Sequence, residues 1–211
     1  MFSKNDLAYR LIRQRVSFLH WPAAINLFIF GTVMRNKELV QRSARIFMQE
    51  IGPCYPANLH QIAQRMNIQI HYRSDLPQNV NGATVPLNDG SYVVAIKSHQ
   101  SFLNERFSIA REIAHIVLGH CAEGIVITSA LEMHNQGVPP CDRESYTFAL
   151  ELLVPLEQLK HAVSESEFLD IDKLCTLYGV SGEIIKTRLD ELGLNQSIPS
   201  LPHTLSLVCC L

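Results

Sequence analysis

The chain has 211 residues, of which 47% are hydrophobic, and its formal net charge is −2 at pH 7. A chain of this length and apolar content can bury one substantial core, so one main domain with a small appendage is favoured over two equal domains. Its six cysteines include no C-x-x-C pair and no spacing typical of a disulfide framework. This pattern argues against a disulfide-stabilised secreted protein and favours the reducing cytoplasm.

The N-terminal part of the chain is basic and partly apolar. The first 50 residues carry eight Lys or Arg and three Asp or Glu, a balance of +5, whereas the remainder has a balance of −7. We favour a solvated helix face for this charge over a contact with membrane or nucleic acid. Residues 16–33 are mostly apolar but are interrupted by His20, Pro22 and Asn26. We therefore interpret residues 1–33 as an N-terminal extension or docking segment, ahead of a membrane anchor and a cleaved signal peptide.

The spacing of apolar residues predicts the elements that precede the central motif. Helical spacing covers residues 34–51 and 58–66, and the alternation typical of strands covers residues 68–72, 82–86 and 91–96. Between the last two strands, Asn88-Asp89-Gly90 has the composition of a tight hairpin turn. The stretch 123–140 shows no clear period and is predicted to be a loop.

The most informative segment is residues 111–115, Arg-Glu-Ile-Ala-His, within a helix predicted from residue 104 or 105 to residue 118. Apolar residues surround most of this helix, which indicates a buried position. In the motif H-E-x-x-H, two histidines on one helix face bind zinc while the glutamate activates a water molecule. Glu112 and His115 are in place, but Arg111 occupies the position of the first ligand. Arginine cannot ligate a metal because it does not lose its proton in a protein.

A second apolar helix, predicted over residues 143–153, brings a further carboxylate. A catalytic zinc site needs three protein ligands and one open position for water. His115 is a candidate ligand, and Glu144 is another because a buried carboxylate must be paired or coordinated. Glu112 is the candidate general base. Alternatively, Arg111 clamps Glu144 or Glu112 in an ion pair that needs no metal.

Two blocks of sequence, residues 81–120 and residues 142–155, resemble the ImmA/IrrE family of prokaryotic metallopeptidases. The similarity extends over roughly residues 36–195. It implies an α+β fold in which a small antiparallel-rich sheet packs on helices around a buried, zincin-like motif helix. It also implies Zn²⁺ as the cofactor and a protein regulator, such as a helix-turn-helix repressor, as the substrate or partner.

By this resemblance, His115 and Glu144 match zinc ligands and Glu112 matches the catalytic glutamate, whereas Arg111 replaces the family's first ligand histidine. The leading hypothesis is a zinc-dependent endopeptidase that acts on a protein regulator, with Arg111 impairing its activity. The first alternative is an inactive pseudopeptidase that binds a regulator or a peptide without cutting it.

Residues 170–194 are predicted to form a helix-turn-helix-like pair with Gly179-Val180-Ser181 as the turn. The second helix carries too little net positive charge for a DNA reader, because Lys186 and Arg188 are offset by Glu183, Asp190 and Glu191. A packing or partner-docking module is therefore favoured, and a DNA-binding regulator is the second alternative. The predicted organisation has four parts: an extension (1–33), a metallopeptidase-like domain (34–160), a helix-turn-helix-like module (161–195) and an irregular tail (196–211).

Overall fold

The computed structural model describes residues 36–52, 54–129, 138–165 and 170–194. In chain order, its elements are α1 (Lys37–Ile51), α2 (Leu59–Arg65), β1 (Ile68–Arg73), β2 (Val80–Pro86), β3 (Tyr92–Lys97), α3 (Phe102–Val117), a 3-10 turn (His120–Glu123), β4 (Val126–Ser129), α4 (Pro140–Leu153), α5 (Leu156–Ser164), α6 (Ile171–Tyr178) and α7 (Gly182–Glu191). The predicted extension (1–33), with its apolar segment, and the predicted tail (196–211) lie outside these residues. The expected α+β class is confirmed.

The sheet is small, mixed and mostly antiparallel. Its strand order is β1-β3-β2-β4, with β1 parallel to β3 and the other two pairs antiparallel. In the sequence β2 lies between β1 and β3, and it forms the antiparallel hairpin with β3. Strand β1 pairs with the other edge of β3, and the two run parallel. Strand β4 lies inside the stretch that the sequence analysis assigned to a loop, and that assignment is corrected. Its four residues are too few to show a period, and Ile127 is 59% exposed.

The motif helix α3 lies in the centre of the domain, where it contacts the sheet, α2 and α4. It begins at Phe102, slightly earlier than predicted, because the Ser101 side chain accepts a hydrogen bond from the backbone N–H of Asn104 and so caps the helix. Every residue from Ser108 to Val117 is buried. The prediction of a buried motif helix is therefore confirmed, and its polar residues lie inside the protein.

Helix α4 begins at Pro140, three residues before the predicted start. A proline is favourable in the first turn of a helix because its missing N–H has no intrahelical partner there. The earlier start places Asp142 in the first turn, where it is buried. Pro155 ends α4 but directly precedes α5, a helix that the sequence analysis did not predict.

The two C-terminal helices pack against the same hydrophobic core as the sheet and α3. Ile185 and Leu189 of α7 are fully buried in that core. Arg188 is also fully buried, where its Nε donates to the Val154 carbonyl at 2.8 Å and its Nη2 pairs with Glu151. Arg188, one of the two basic residues of the predicted recognition helix, is therefore part of the core and is not available to contact DNA. The domain boundary at residue 160 and a helix-turn-helix function of this pair remain predictions.

Candidate functional site

Three polar side chains of α3 meet in the core. Arg111 is 4% exposed, while Glu112 and His115 are fully buried. Arg111 and His115 are four residues apart and therefore share one face of the helix. Any charge on these side chains must be balanced inside the protein, because burying an unpaired charge is costly.

The carboxylate that faces Arg111 and His115 belongs to Asp142. Its Oδ1 lies 3.5 Å from Arg111 Nη2 and 3.6 Å from His115 Nε2. No motif in the sequence singled out this residue. Two features of the sequence could have pointed to Asp142. The preceding Pro139-Pro140 can begin a helix, which places Asp142 in its first turn, and a carboxylate buried there needs partners.

Glu144, the predicted ligand, lies on a different side of α4, because two residues along a helix correspond to a rotation of about 200°. Its Oε2 lies 3.0 Å from Nε2 of His120. His120 comes back to this site because α3 has ended at Val117 and Gly119 adopts the left-handed conformation with φ 75°. The ligand role of Glu144 remains a prediction.

Glu144, His120 and His115 form a chain of hydrogen bonds. Nδ1 of His120 lies 3.0 Å from Nδ1 of His115. The Glu144 carboxylate accepts from His120 Nε2, and the proton between the two Nδ1 atoms belongs to one ring or the other according to the tautomer. The other ring nitrogen of His115, Nε2, faces Asp142. Neither His115 Nε2 nor Asp142 Oδ1 has a hydrogen-bond partner among the described residues.

Glu112 lies on the sheet side of α3. The Thr84 hydroxyl of β2 donates to its Oε2 at 2.6 Å. Gly82 of the same strand leaves the room for this side chain, since a Cβ at that position would lie only 2.9 Å from Glu112 Cδ. Burial raises the pKa of Glu112 to about 7, although its hydrogen bonds to threonine and the nearby Arg111 oppose the shift. Glu112 therefore exchanges a proton near neutral pH.

Burial also governs the other charges at the site. It raises the pKa of Asp142, an effect that the neighbouring Arg111 and, to a smaller extent, His120 partly offset. It lowers the pKa of His115 well below its usual value, and the neighbouring His120 and Arg111 lower it further. His115 is therefore a neutral ring, and Arg111 is the cation beside Asp142.

The residues present do not fit a catalytic zinc ion. His115 Nε2 and Asp142 Oδ1 have the chemistry of two ligands, but the third position belongs to the guanidinium of Arg111, which would repel a metal cation. No group of three or more His, Cys, Asp or Glu side chains is arranged to hold a metal within the described ranges.

The part of the chain that the structure describes has no helix that is long and apolar enough to cross a membrane.

Comparisons with known proteins agree with this architecture. The chain is similar in structure to a Mycobacterium tuberculosis transcriptional regulator, with a TM-score of 0.51 and 18% sequence identity. The match covers 90% of this chain and 54% of that chain, so this chain spans about half the length of the regulator. No curated protein matches the chain in sequence.

A family model, Peptidase M78 with the description IrrE N-terminal-like domain, matches residues 63–190. This range contains the whole sheet, the motif helix and α4, and it makes up more than half of the chain. The resemblance inferred from the motif is thereby confirmed, and the chain belongs to the M78 peptidase family with the IrrE N-terminal-like domain.

Proposed function

We propose that this protein is a pseudopeptidase, a member of the M78 family that binds a protein regulator without metal-dependent cleavage. The observation that carries the proposal is the position of the Arg111 guanidinium, 3.5 Å from Asp142 Oδ1, in the place of the first ligand histidine. The arginine supplies the positive charge that the buried carboxylate of Asp142 requires.

The electrostatic free energy favours the Arg111–Asp142 ion pair over a metal-free site that lacks a cation. A buried carboxylate that loses its partner costs about 3–5 kcal/mol, so Asp142 stabilises the fold only while a cation is present. Arg111 is a permanent cation, and burial lowers its pKa without removing its charge. The fold can therefore persist without zinc, and the surfaces of a peptidase remain available for binding.

A zinc-dependent endopeptidase is the second candidate. It is favoured by the retained Glu112 and His115 and by the position of His115 Nε2, which faces Asp142 Oδ1 at 3.6 Å. Zinc could bind only if the Arg111 guanidinium moved away and broke its ion pair with Asp142. Because breaking this buried ion pair costs free energy, we favour the binding protein over the endopeptidase.

A regulator of transcription, such as a helix-turn-helix repressor, is the partner that we propose, with the cytoplasm as the compartment. The similar structure belongs to a transcriptional regulator. Direct DNA binding through α7 is disfavoured, because Arg188 is fully buried and Glu183 and Asp190 are exposed on the same helix.

The test uses the full chain to capture a helix-turn-helix repressor from the same organism, with and without a metal chelator. We expect stable capture of the intact repressor at equal strength in both conditions. A Glu112→Gln variant serves as the control, because it removes the candidate general base and should capture the repressor equally well. Cleavage of the repressor that the chelator and Glu112→Gln both abolish would establish the endopeptidase instead. Loss of capture in the chelator would also refute the metal-free proposal.

A further inference from the structure

A groove of about 370 Å³ opens between α5 and α6, apart from the buried site of the motif helix. It is lined by Tyr55 and by the buried Tyr178, whose rings meet edge to face with centroids 5.6 Å apart. Leu177, which is 45% exposed, and Ala162 extend the apolar wall. A cavity of this volume is large enough for one long side chain of another protein and parts of the residues next to it.

The rim of this groove is acidic. Glu157 and Glu165 are both exposed and line it one turn of α5 on either side of His161. His161 also lines the groove, and its Nδ1 lies 3.3 Å from Glu165 Oε2. Gln158 adds a neutral amide. The two carboxylates contribute a formal charge of −2 to the rim formed by the described residues.

This combination matches one kind of occupant. Lysine and arginine side chains have an apolar stem and a cationic head, so the stem can pack on Leu177 while the head pairs with one of the two carboxylates. An anionic or purely aliphatic ligand would leave the acidic rim unmatched.

We infer that the groove between α5 and α6 binds a lysine or arginine side chain presented by the partner protein. The inference rests on the proposed function, because it names where the regulator docks and through which chemistry. A protein that binds DNA carries clustered basic residues for the phosphate backbone, and such a surface complements the acidic rim. Binding here would place the regulator's basic residues on this chain in place of DNA.

The experiment is an NMR titration of the full chain with a capped hexapeptide, Ac-Ala-Leu-Arg-Leu-Ala-Gly-NH2. The matched probe has citrulline in place of arginine, which keeps the shape and removes the charge. We expect the arginine peptide to shift the signals of Leu177 and Ala162, and the citrulline peptide to bind about fivefold more weakly. A Glu157→Gln/Glu165→Gln variant should lose a similar factor, whereas the exposed Glu183→Gln on α7 should change nothing.

Three results would overturn the inference: equal binding of the two peptides, shifts that map away from the groove, or no binding of the arginine peptide. The last result would also follow if another segment of this chain or a second copy filled the groove. Capture of the regulator by the Glu157→Gln/Glu165→Gln variant separates this inference from the proposed function. Undiminished capture removes the groove as the docking site and leaves the binding function intact, whereas a chain that captures no regulator in any form refutes the function itself.

Discussion

The replacement Arg111→His should convert the buried ion-pair site into a zinc site. The new imidazole would lie on the same face of α3 as His115, and Asp142 would be the third ligand. In tetrahedral coordination with metal bonds of about 2.0–2.1 Å, two ligand atoms lie about 3.4 Å apart. His115 Nε2 and Asp142 Oδ1 are 3.6 Å apart in the native chain. The site would have to contract by only about 0.2 Å at this pair.

The same replacement should destabilise the metal-free protein. Without the guanidinium, the buried carboxylate of Asp142 loses its cation, which costs about 3–5 kcal/mol. Zinc that binds the folded state alone returns about 2.7 kcal/mol when its concentration is 100 times its dissociation constant. We therefore expect the unfolding temperature of Arg111→His to rise strongly with zinc, while that of the native chain does not change.

The assay combines metal content after equilibrium dialysis, thermal unfolding with and without zinc, and the absorption spectrum of bound Co²⁺. Arg111→Gln is the matched control, since it removes the charge without supplying a ligand and should take up no metal. Adding Asp142→Ala to Arg111→His should abolish zinc binding. Adding Glu144→Gln should weaken it about tenfold at most, because Glu144 acts through His120 on the orientation of His115.

One tightly bound zinc ion per molecule of the native chain would refute this prediction, and so would a folded Arg111→His variant that takes up no zinc. If Arg111→His loses zinc with Glu144→Gln but keeps it with Asp142→Ala, the ligand would be Glu144, as the sequence resemblance implied.

Three further predictions concern stability. Gly82→Ala should destabilise the fold by about 2–3 kcal/mol in urea unfolding, because its Cβ would lie 2.9 Å from Glu112 Cδ in a packed interior, and an unchanged midpoint would contradict this contact. Burial raises the pKa of Glu112 to about 7 in the folded chain, above its value in the unfolded chain, so the folded state binds the proton more tightly. This proton stabilises the fold fully at pH values below the unfolded pKa, and the contribution is lost as the pH rises through about 7. Glu112→Gln should therefore be more stable than the native chain at pH 8 and flatten the pH dependence, and identical pH profiles in urea would refute the shift. Arg188→Ala should cost about 3 kcal/mol, the lower end for breaking a buried pair, because Glu151 keeps only the partly exposed Arg45 as its cation; in a double-mutant cycle with Glu151→Ala, the combined loss should be smaller than the sum of the two single losses.

The class of fold and the identity of the central helix follow from the amino-acid sequence without any tertiary contact. The spacing of apolar residues around Glu112 and His115 predicted a buried helix, because a residue pattern with no polar face can be satisfied only in a core. The turn Asn88-Asp89-Gly90 predicted the β2–β3 hairpin from local backbone preferences. Arg111 was recognised as a departure from ligand chemistry without any structure, because a guanidinium keeps its proton in every fold.

The tertiary structure alone decided which carboxylate meets Arg111. Asp142 and Glu144 are two residues apart in one helix, so the starting residue and rotation of α4 determine which of them faces the motif, and local spacing does not contain that information. The return of His120 to His115 depends on where α3 ends. The parallel pairing of β1 with β3 and the burial of Arg188 depend likewise on contacts between residues far apart in the chain. These long-range contacts turn the departure at Arg111 into a defined ion pair with Asp142.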